Sequence, residues 1–391
     1  VGAKCVRAVI RKASCGKALD TRRKNSACDG YLQFGMGEGR SFADDEITNL
    51  IWEEMYMKKS MRILALVLAA LMLVGSFAAC GEKSGNAGEN VLVIGGIGPL
   101  TGSAASYGQG VMKGAQLAVD EINKAGGVNG MQLSLNFQDD EHTTDKAVNA
   151  YNTLKDKGMK LLMGTVTSNP CVAVAEKTHE DNMFQLTPSG SSVACTQYDN
   201  AFRICFNDPN QGTVSAQYIA ENNIASKIAI IYDSSDVYSS GIKDKFVAEA
   251  ANRNLEIVAT EAFTSDSKTD FSVQLQKIQA SGAELVFLPI YYSEAAMILS
   301  QANKNGLDVK WFGCDGLDGL IAQLGDEVAL ADDVMLLTPF VADAQDAKTS
   351  AFVSAYKAAN NDETPNQFAA DAYDAIYAIK AALEKAGVTD A

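Results

Sequence analysis

Residues 91–138 read VLVIGGIGPLTGSAASYGQGVMKGAQLAVDEINKAGGVNGMQLSLNFQ, and the pattern of this stretch decides the fold. Val91–Ile97 is a short apolar run stopped by a Gly/Pro/Ser turn that ends at Tyr107, which reads as a buried strand. From Gly108 to about Lys124, the residues Val111, Ala115, Ala118, Val119 and Ile122 fall on one face of a helix. Gly126-Gly127 stops that helix, and Asn129-Gly130 turns the chain into a second strand, Met131–Gln138. A strand, a helix and a strand in this order form a parallel pair joined by a right-handed crossover.

The alternation continues along the chain. Strands are expected at Lys160–Met163, Met183–Leu186, Ile228–Tyr232, Glu256–Thr260, Leu285–Pro289, Lys310–Phe312 and Val334–Leu337. Helices fit Thr144–Lys157, Asn169–Asp181, Gly212–Asn222, Ser240–Asn252, Asp270–Ala280, Ser293–Asn305, Ala347–Asn360 and Asn366–Lys385. A polar loop near residue 200 divides the pattern into two runs, so an α/β chain with two doubly wound parallel-sheet lobes is expected. Ligands of such sheets sit beyond the carboxyl ends of the strands. The candidate site therefore lies after Ile97, Met163, Leu186, Tyr232, Leu288 and Phe312.

Those loops carry complementary chemistry. Gly164-Thr165-Val166-Thr167-Ser168-Asn169 leads into a helix, and Thr187-Pro188-Ser189-Gly190-Ser191-Ser192 is a second small, hydroxyl-rich loop. Free backbone N–H groups with hydroxyls suit a carboxylate, without a formal positive charge. The same hydroxyls would also serve as plain helix caps. In the second run, Asp233, Asp236, Tyr238, Tyr291 and Asp315 occupy the strand ends. Acids with aromatics suit an ammonium, although Asp315 before Gly316 is also an ordinary turn residue. Together the two sets describe a site for a small zwitterion.

Upstream, Met57-Lys58-Lys59-Ser60-Met61-Arg62 precedes the apolar run Ile63–Val74, followed by Gly75-Ser76-Phe77-Ala78-Ala79-Cys80. A basic start, a short apolar middle and a small-residue exit make an export signal, too short for a bilayer span of about 20 residues. The small residues before Cys80 resemble the lipobox of bacterial lipoproteins, with Phe77 where Leu is usual. That resemblance implies cleavage before Cys80 and a lipid on its sulfur. Residues 81–90 (GEKSGNAGEN) then read as a flexible tether. Residues 1–56 are expected to be translated leader DNA, since the codons of Trp52-Glu53-Glu54 can spell a purine-rich ribosome-binding sequence ahead of Met57.

Residues 81–391 hold 21 Lys and Arg against 40 Asp and Glu, a net charge of −19, which argues against nucleic-acid binding. With His142 and His179 the only histidines, both read as surface residues, a Ser-His-Asp triad has little material. Gly95-Gly96-Ile97-Gly98-Pro99 fails the dinucleotide fingerprint, and no Walker or H-E-x-x-H sequence occurs. No enzyme, metal or cofactor is expected. Cys171, Cys195, Cys205 and Cys314 fit no zinc spacing. Cys195 and Cys205 flank a polar loop and could pair, or remain two free thiols.

Four stretches resemble the branched-chain amino-acid type of ABC-transporter substrate-binding protein. The first is Ile97-Gly98-Pro99-Leu100-Thr101-Gly102 with Tyr107-Gly108, Gly114–Asn123 and Gly126–Gly130. The others are Gly164–Ser168 with Thr187-Pro188, Asp270-Phe271 through Tyr291 with Gln301-Ala302 and Gly306, and Phe368–Ala375. The resemblance implies a type I periplasmic-binding fold, with two lobes, a three-stranded hinge and ligand held in the cleft. It implies that the Ser168 and Ser191 hydroxyls and the Ser189 backbone, in the loop with Gly190, hold a carboxylate. Asp315 would face the ammonium beside Tyr238 and Tyr291, and Tyr107, Val166, Thr167 and Phe368 would line the side-chain pocket. Asp315 stands where the family's branched-chain members usually carry Glu, so the ligand is expected to be an amino acid or a related small zwitterion.

The expected organisation is leader at 1–56, signal at 57–79, lipidated Cys80 and tether at 80–90, lobe 1 at 91–208, lobe 2 at 209–338, and a return to lobe 1 at 339–391. Family members continue for further elements, so a C-terminal truncation is expected. The resemblance implies a monomer anchored outside the cytoplasmic membrane that delivers ligand to an ABC permease. Its rivals are a ligand-sensing module for a receptor and a binder of a small amide or carboxylate.

Overall fold

The computed structural model describes residues 9–12 and 90–390. The expected signal, Cys80 and residues 81–89 of the tether lie outside the described residues. Within the expected leader, Val9–Lys12 forms strand β1.

Lobe 1 is built on five parallel strands: β2 (Val91–Gly98), β3 (Gln132–Asp139), β4 (Leu161–Gly164), β5 (Gln185–Thr187) and β6 (Ala201–Arg203). Their order is β3-β2-β4-β5-β6. The register runs from Val91 opposite Gln132 to Gly98 opposite Asp139. Lobe 2 holds β7 (Lys227–Asp233), β8 (Glu256–Phe263), β9 (Leu285–Leu288), β10 (Lys310–Gly313) and β11 (Val334–Thr338), in the order β8-β7-β9-β10-β11. These five are parallel, and β1 pairs antiparallel with β11 at the edge.

The helices are α1 (Ala105–Lys124), α2 (Thr144–Asp156), α3 (Ser168–Glu180), α4 (Asp208–Glu221), α5 (Val237–Asn252), α6 (Ser272–Ser281), α7 (Tyr292–Lys304), α8 (Leu320–Leu324), α9 (Ala347–Ala359) and α10 (Gln367–Ala386). Each central strand is apolar on both faces because helices cover both. Leu161–Gly164 and Leu285–Leu288 are buried throughout, as a doubly wound sheet requires.

Among the described residues the chain crosses between the lobes twice, after β6 and after β11. The second crossing returns α10 to lobe 1, where Phe368, Ala372, Ile376 and Ile379 join Ile94, Val111, Val119 and Ile122 in one core. Two backbones meet there. A Cβ on Gly114 of α1 would stand 2.0 Å from the Ala369 carbonyl oxygen of α10, so that contact exists only with glycine.

The sequence pattern misses β6 and α8, which are only three and five residues long. It also starts α4 and α5 late. Asn207 accepts a hydrogen bond from Asn210 N, and Asp236 accepts one from Tyr238 N. These caps begin both helices before their apolar stripes do.

Candidate ligand site between the lobes

The carboxyl ends of both sheets face one cleft. From lobe 1, β4 ends at Gly164, whose φ of +150° places a Cβ 2.8 Å from the Ile97 carbonyl oxygen; only glycine fits. The loop beyond it is fastened to the β5 loop by side chains. Thr187 Oγ1 donates to Thr165 O at 2.6 Å, Ser189 Oγ donates to Val166 O at 2.8 Å, and Ser192 N donates to Ser168 Oγ at 3.2 Å. The Ser189 hydroxyl is thus used internally.

Arg203, which the sequence reading passes over, stands behind the second loop. Its Nη1 donates to the carbonyls of Ser192, Ser191 and Gly190 at 2.9, 3.2 and 3.4 Å. A cation therefore stands behind the second loop, bound to its carbonyls and outside the residues that line the cavity. Arg203 is visible in the sequence, but only the three-residue strand β6 brings it to this loop.

Lobe 2 supplies the acid and the aromatics. The Tyr238 hydroxyl donates to Asp315 Oδ1 at 2.7 Å, and Asp315 N donates to Gln211 Oε1 at 3.2 Å. Burial pushes the Asp315 carboxyl up to about 6, against the opposing pull of the Tyr238 and Gln211 hydrogen bonds. Burial also raises Asp236 to about 6 and Asp208 to about 8. Of the three, only Asp315 lines the inner cavity, and a buried carboxylate with a raised value gains from a cation placed beside it. Tyr238 stacks on Tyr291 at 4.9 Å, and Tyr107 packs against Phe368 at 4.3 Å and Tyr291 at 5.8 Å.

Tyr107, Val166, Thr167, Ser168, Ser189, Ser191, Tyr238, Tyr291, Asp315 and Phe368 line one cavity together with Gly316. These are ten of the eleven residues the sequence reading names for ligand. Gly190 does not line it: its N–H donates to Thr187 Oγ1 at 2.7 Å and its α-carbon packs on Cys171. The cavity volume is about 10 Å³, room for roughly one water. The lobes are closed upon it. Tyr107 Oη of lobe 1 donates to Gly316 O at 2.5 Å and accepts from Tyr292 N at 3.2 Å. Asn169 Nδ2 donates to Ser235 O, and Val237 N donates to Asn169 Oδ1, each at 3.2 Å.

A larger chamber of about 260 Å³ adjoins it at Tyr291, lined by Glu141, His142, Asn169, Asp233, Asp236 and Lys268 among others. His142 corrects the expectation of a surface histidine. Its Nδ1 lies 2.8 Å from Thr167 Oγ1, and its ring meets Tyr291 edge-on at 5.2 Å. Burial, with Lys268 nearby, holds its pKa down to about 4, so the imidazole is neutral. His179 stacks on Tyr198 at 4.2 Å, away from the cavity.

The described cysteines Cys171, Cys195, Cys205 and Cys314 are free thiols in this structure. The thiol beside Cys195 is Cys171. Among the described residues no group of three or more His, Cys, Asp or Glu side chains could hold a metal. No described helix is long and apolar enough to cross a membrane.

Known proteins resemble this chain over most of its two lobes. The profile of the family described as Periplasmic binding protein matches residues 91–391. The Leu/Ile/Val-binding protein homolog 3 of Brucella melitensis is 33% identical, over 76% of this chain and 80% of its own. The leucine-, isoleucine-, valine-, threonine- and alanine-binding protein of Pseudomonas aeruginosa is 31% identical, over 85% of this chain and 87% of its own. Among solved structures, the branched-chain amino acid transporter substrate-binding protein of Streptococcus pneumoniae, in complex with isoleucine, superposes with a TM-score of 0.70 at 30% identity. It covers 77% of this chain and 85% of that one.

Proposed function

The chain belongs to the periplasmic binding protein family, and from that premise we propose that it binds an aliphatic amino acid, or a closely related small zwitterion, between its lobes. One observation carries the reading. Two hydroxyl loops of lobe 1 and the Asp315 carboxylate of lobe 2, with four aromatic rings, converge on one cavity. The Ser168 and Ser191 hydroxyls and the Ser189 backbone N–H would take the ligand carboxylate. Asp315 would take the ammonium, and Tyr107, Val166 and Phe368 would cover the side chain. An amino acid is larger than the closed cavity, so entry requires the lobes to part. Ligand then favours closure only through its higher affinity for a closed form.

In this reading the bound protein hands its ligand to an ABC permease and performs no chemistry on it. Proteins of the family are extracytoplasmic, and we infer that Cys80 carries the lipid that holds the chain at the membrane. Cys80→Ser would then release the protein into the medium; retention at the membrane would reject the anchor.

The test of binding is isothermal titration of the protein with the common amino acids, small amides and small carboxylates. Saturable binding of leucine, isoleucine or valine supports the reading. Binding of a carboxylate without an ammonium, with the amino acids silent, overturns it.

A further inference from the structure

Two of the free thiols stand together directly behind the hydroxyl loops. Cys171 lies in the first turn of α3, three residues after Ser168, and Cys171 N donates to Thr167 O at 3.0 Å. Cys195 follows the second loop, and its Sγ lies 3.8 Å from the Ser168 carbonyl oxygen. Both thiols are buried, and each is the other's hydrogen-bonding neighbour. A Cβ on Gly190 would meet Cys171 Sγ at 2.9 Å, so the second loop is pressed against this sulfur.

We propose that Cys171 and Cys195 are a redox pair that closes to a disulfide in an oxidising setting and ties α3 to the Ser189–Ser192 loop. The two thiols differ in the way such an exchange needs. The hydrogen bond from Cys195, with help from Thr187 and Thr165, holds the Cys171 thiol below the ordinary thiol value. Burial pushes the Cys195 thiol well up. Cys171 is therefore the attacking sulfur.

The oxidant is a low-molecular-weight disulfide such as glutathione disulfide. The Cys171 thiolate attacks one of its sulfurs, forming a mixed disulfide and expelling a thiolate. That thiolate takes the Cys195 proton. The Cys195 thiolate then attacks Cys171 Sγ, forms the protein disulfide and expels the second thiolate, which takes up the proton Cys171 had lost. Two electrons and two protons leave the protein, and the oxidant becomes two thiols. Because both sulfurs are buried, exchange in the folded protein requires local opening beside Cys171, and during folding either sulfur can attack first.

The link would fix the spacing of the two loops that carry Ser168 and Ser191, so the oxidised protein should also hold its ligand differently from the reduced one. The full chain is refolded in a glutathione disulfide–glutathione buffer, its free thiols are alkylated, and it is mapped by non-reducing peptide mass spectrometry. The expected result is a Cys171–Cys195 cross-linked peptide with Cys205 and Cys314 alkylated. A melting midpoint several degrees above the reduced form, reversed by dithiothreitol, should accompany it. Cys205→Ala should leave the link intact, whereas Cys195→Ala should leave Cys171 carrying one glutathione. A Cys195–Cys205 peptide would overturn the proposal. So would alkylation of both Cys171 and Cys195 at every buffer potential in protein that melts cooperatively. Neither readout depends on the identity of the ligand.

Discussion

The Tyr238 hydroxyl is held between two atoms of one loop: it donates to Asp315 Oδ1 at 2.7 Å and accepts from Gly316 N at 3.0 Å. One carboxylate oxygen is thereby committed to the protein, and the orientation of the acid is set before any ligand arrives. Such preorganisation reduces the ordering cost of binding.

Asp315→Asn keeps the shape of the side chain and its acceptor for Tyr238 but removes the charge. Amino-acid affinity should fall roughly 10- to 100-fold, the loss expected for a charge-assisted hydrogen bond of about 1.5–3 kcal/mol, with the circular dichroism spectrum unchanged. Titration calorimetry reads the loss, and wild-type affinity in the variant would take Asp315 out of the site.

Asp315 and Asp318 are raised to about 6, Asp140 to about 7 and Asp208 to about 8, each chiefly by burial. All lie above the ordinary value of 3.8, so between about pH 4 and pH 8 these four groups hold more protons in the folded protein than in the unfolded chain, and they outnumber His142, whose lowered value acts the other way below about pH 6.5. Stability of the ligand-free protein must then fall as pH rises through that window. Ligand affinity should move the other way, rising from pH 5 to pH 7 as Asp315 ionises. Melting scans with and without ligand check both signs; a ligand-free midpoint that climbs from pH 5 to pH 8 would contradict the assignment.

Asn169 bonds across the cleft to Ser235 O and Val237 N. Asn169→Ala removes both contacts, each worth about 0.5–1.5 kcal/mol, without touching the inner cavity. The open form should gain population, and affinity should fall about 5- to 50-fold through that shift alone. Small-angle scattering of the ligand-free variant should show a larger radius of gyration. An unchanged radius with unchanged affinity would mean that the pair does not restrain closure.

Gly114→Ala would drive a Cβ against the Ala369 carbonyl and part α1 from α10. A cost of about 1–3 kcal/mol is expected, seen as a melting midpoint lower by several degrees. A midpoint within one degree of wild type would show that the helices shift freely.

The lobes and most of the site are legible in the sequence because their signals are local. Runs such as Leu285–Leu288 are apolar on both faces, and the glycines and hydroxyls of 164–169 and 187–192 sit where strands give way to helices. What escapes is set by distance along the chain. Arg203 reaches the 190–192 carbonyls only through a three-residue strand with no period to read. His142 is a polar-looking residue in a turn until Tyr291, from the other lobe, covers its ring. Cys195 lies closer in sequence to Cys205, yet its neighbour is Cys171, because α3 starts at Ser168 and the second loop ends beside it. Pairings made by tertiary packing leave no trace in local spacing.

The meeting of α1 with α10 also sets an order of events. Ribosomes make the strands of lobe 1 first, but Phe368, Ala372 and Ile376 of its core are made after all the strands of lobe 2. The early lobe therefore remains unfinished while most of the chain is synthesised, and its buried face must wait for the late helix. Lobe 2 is under no such constraint, since its core residues from Ala216 to Met335 are all made before that helix, so the late helix delays lobe 1 alone.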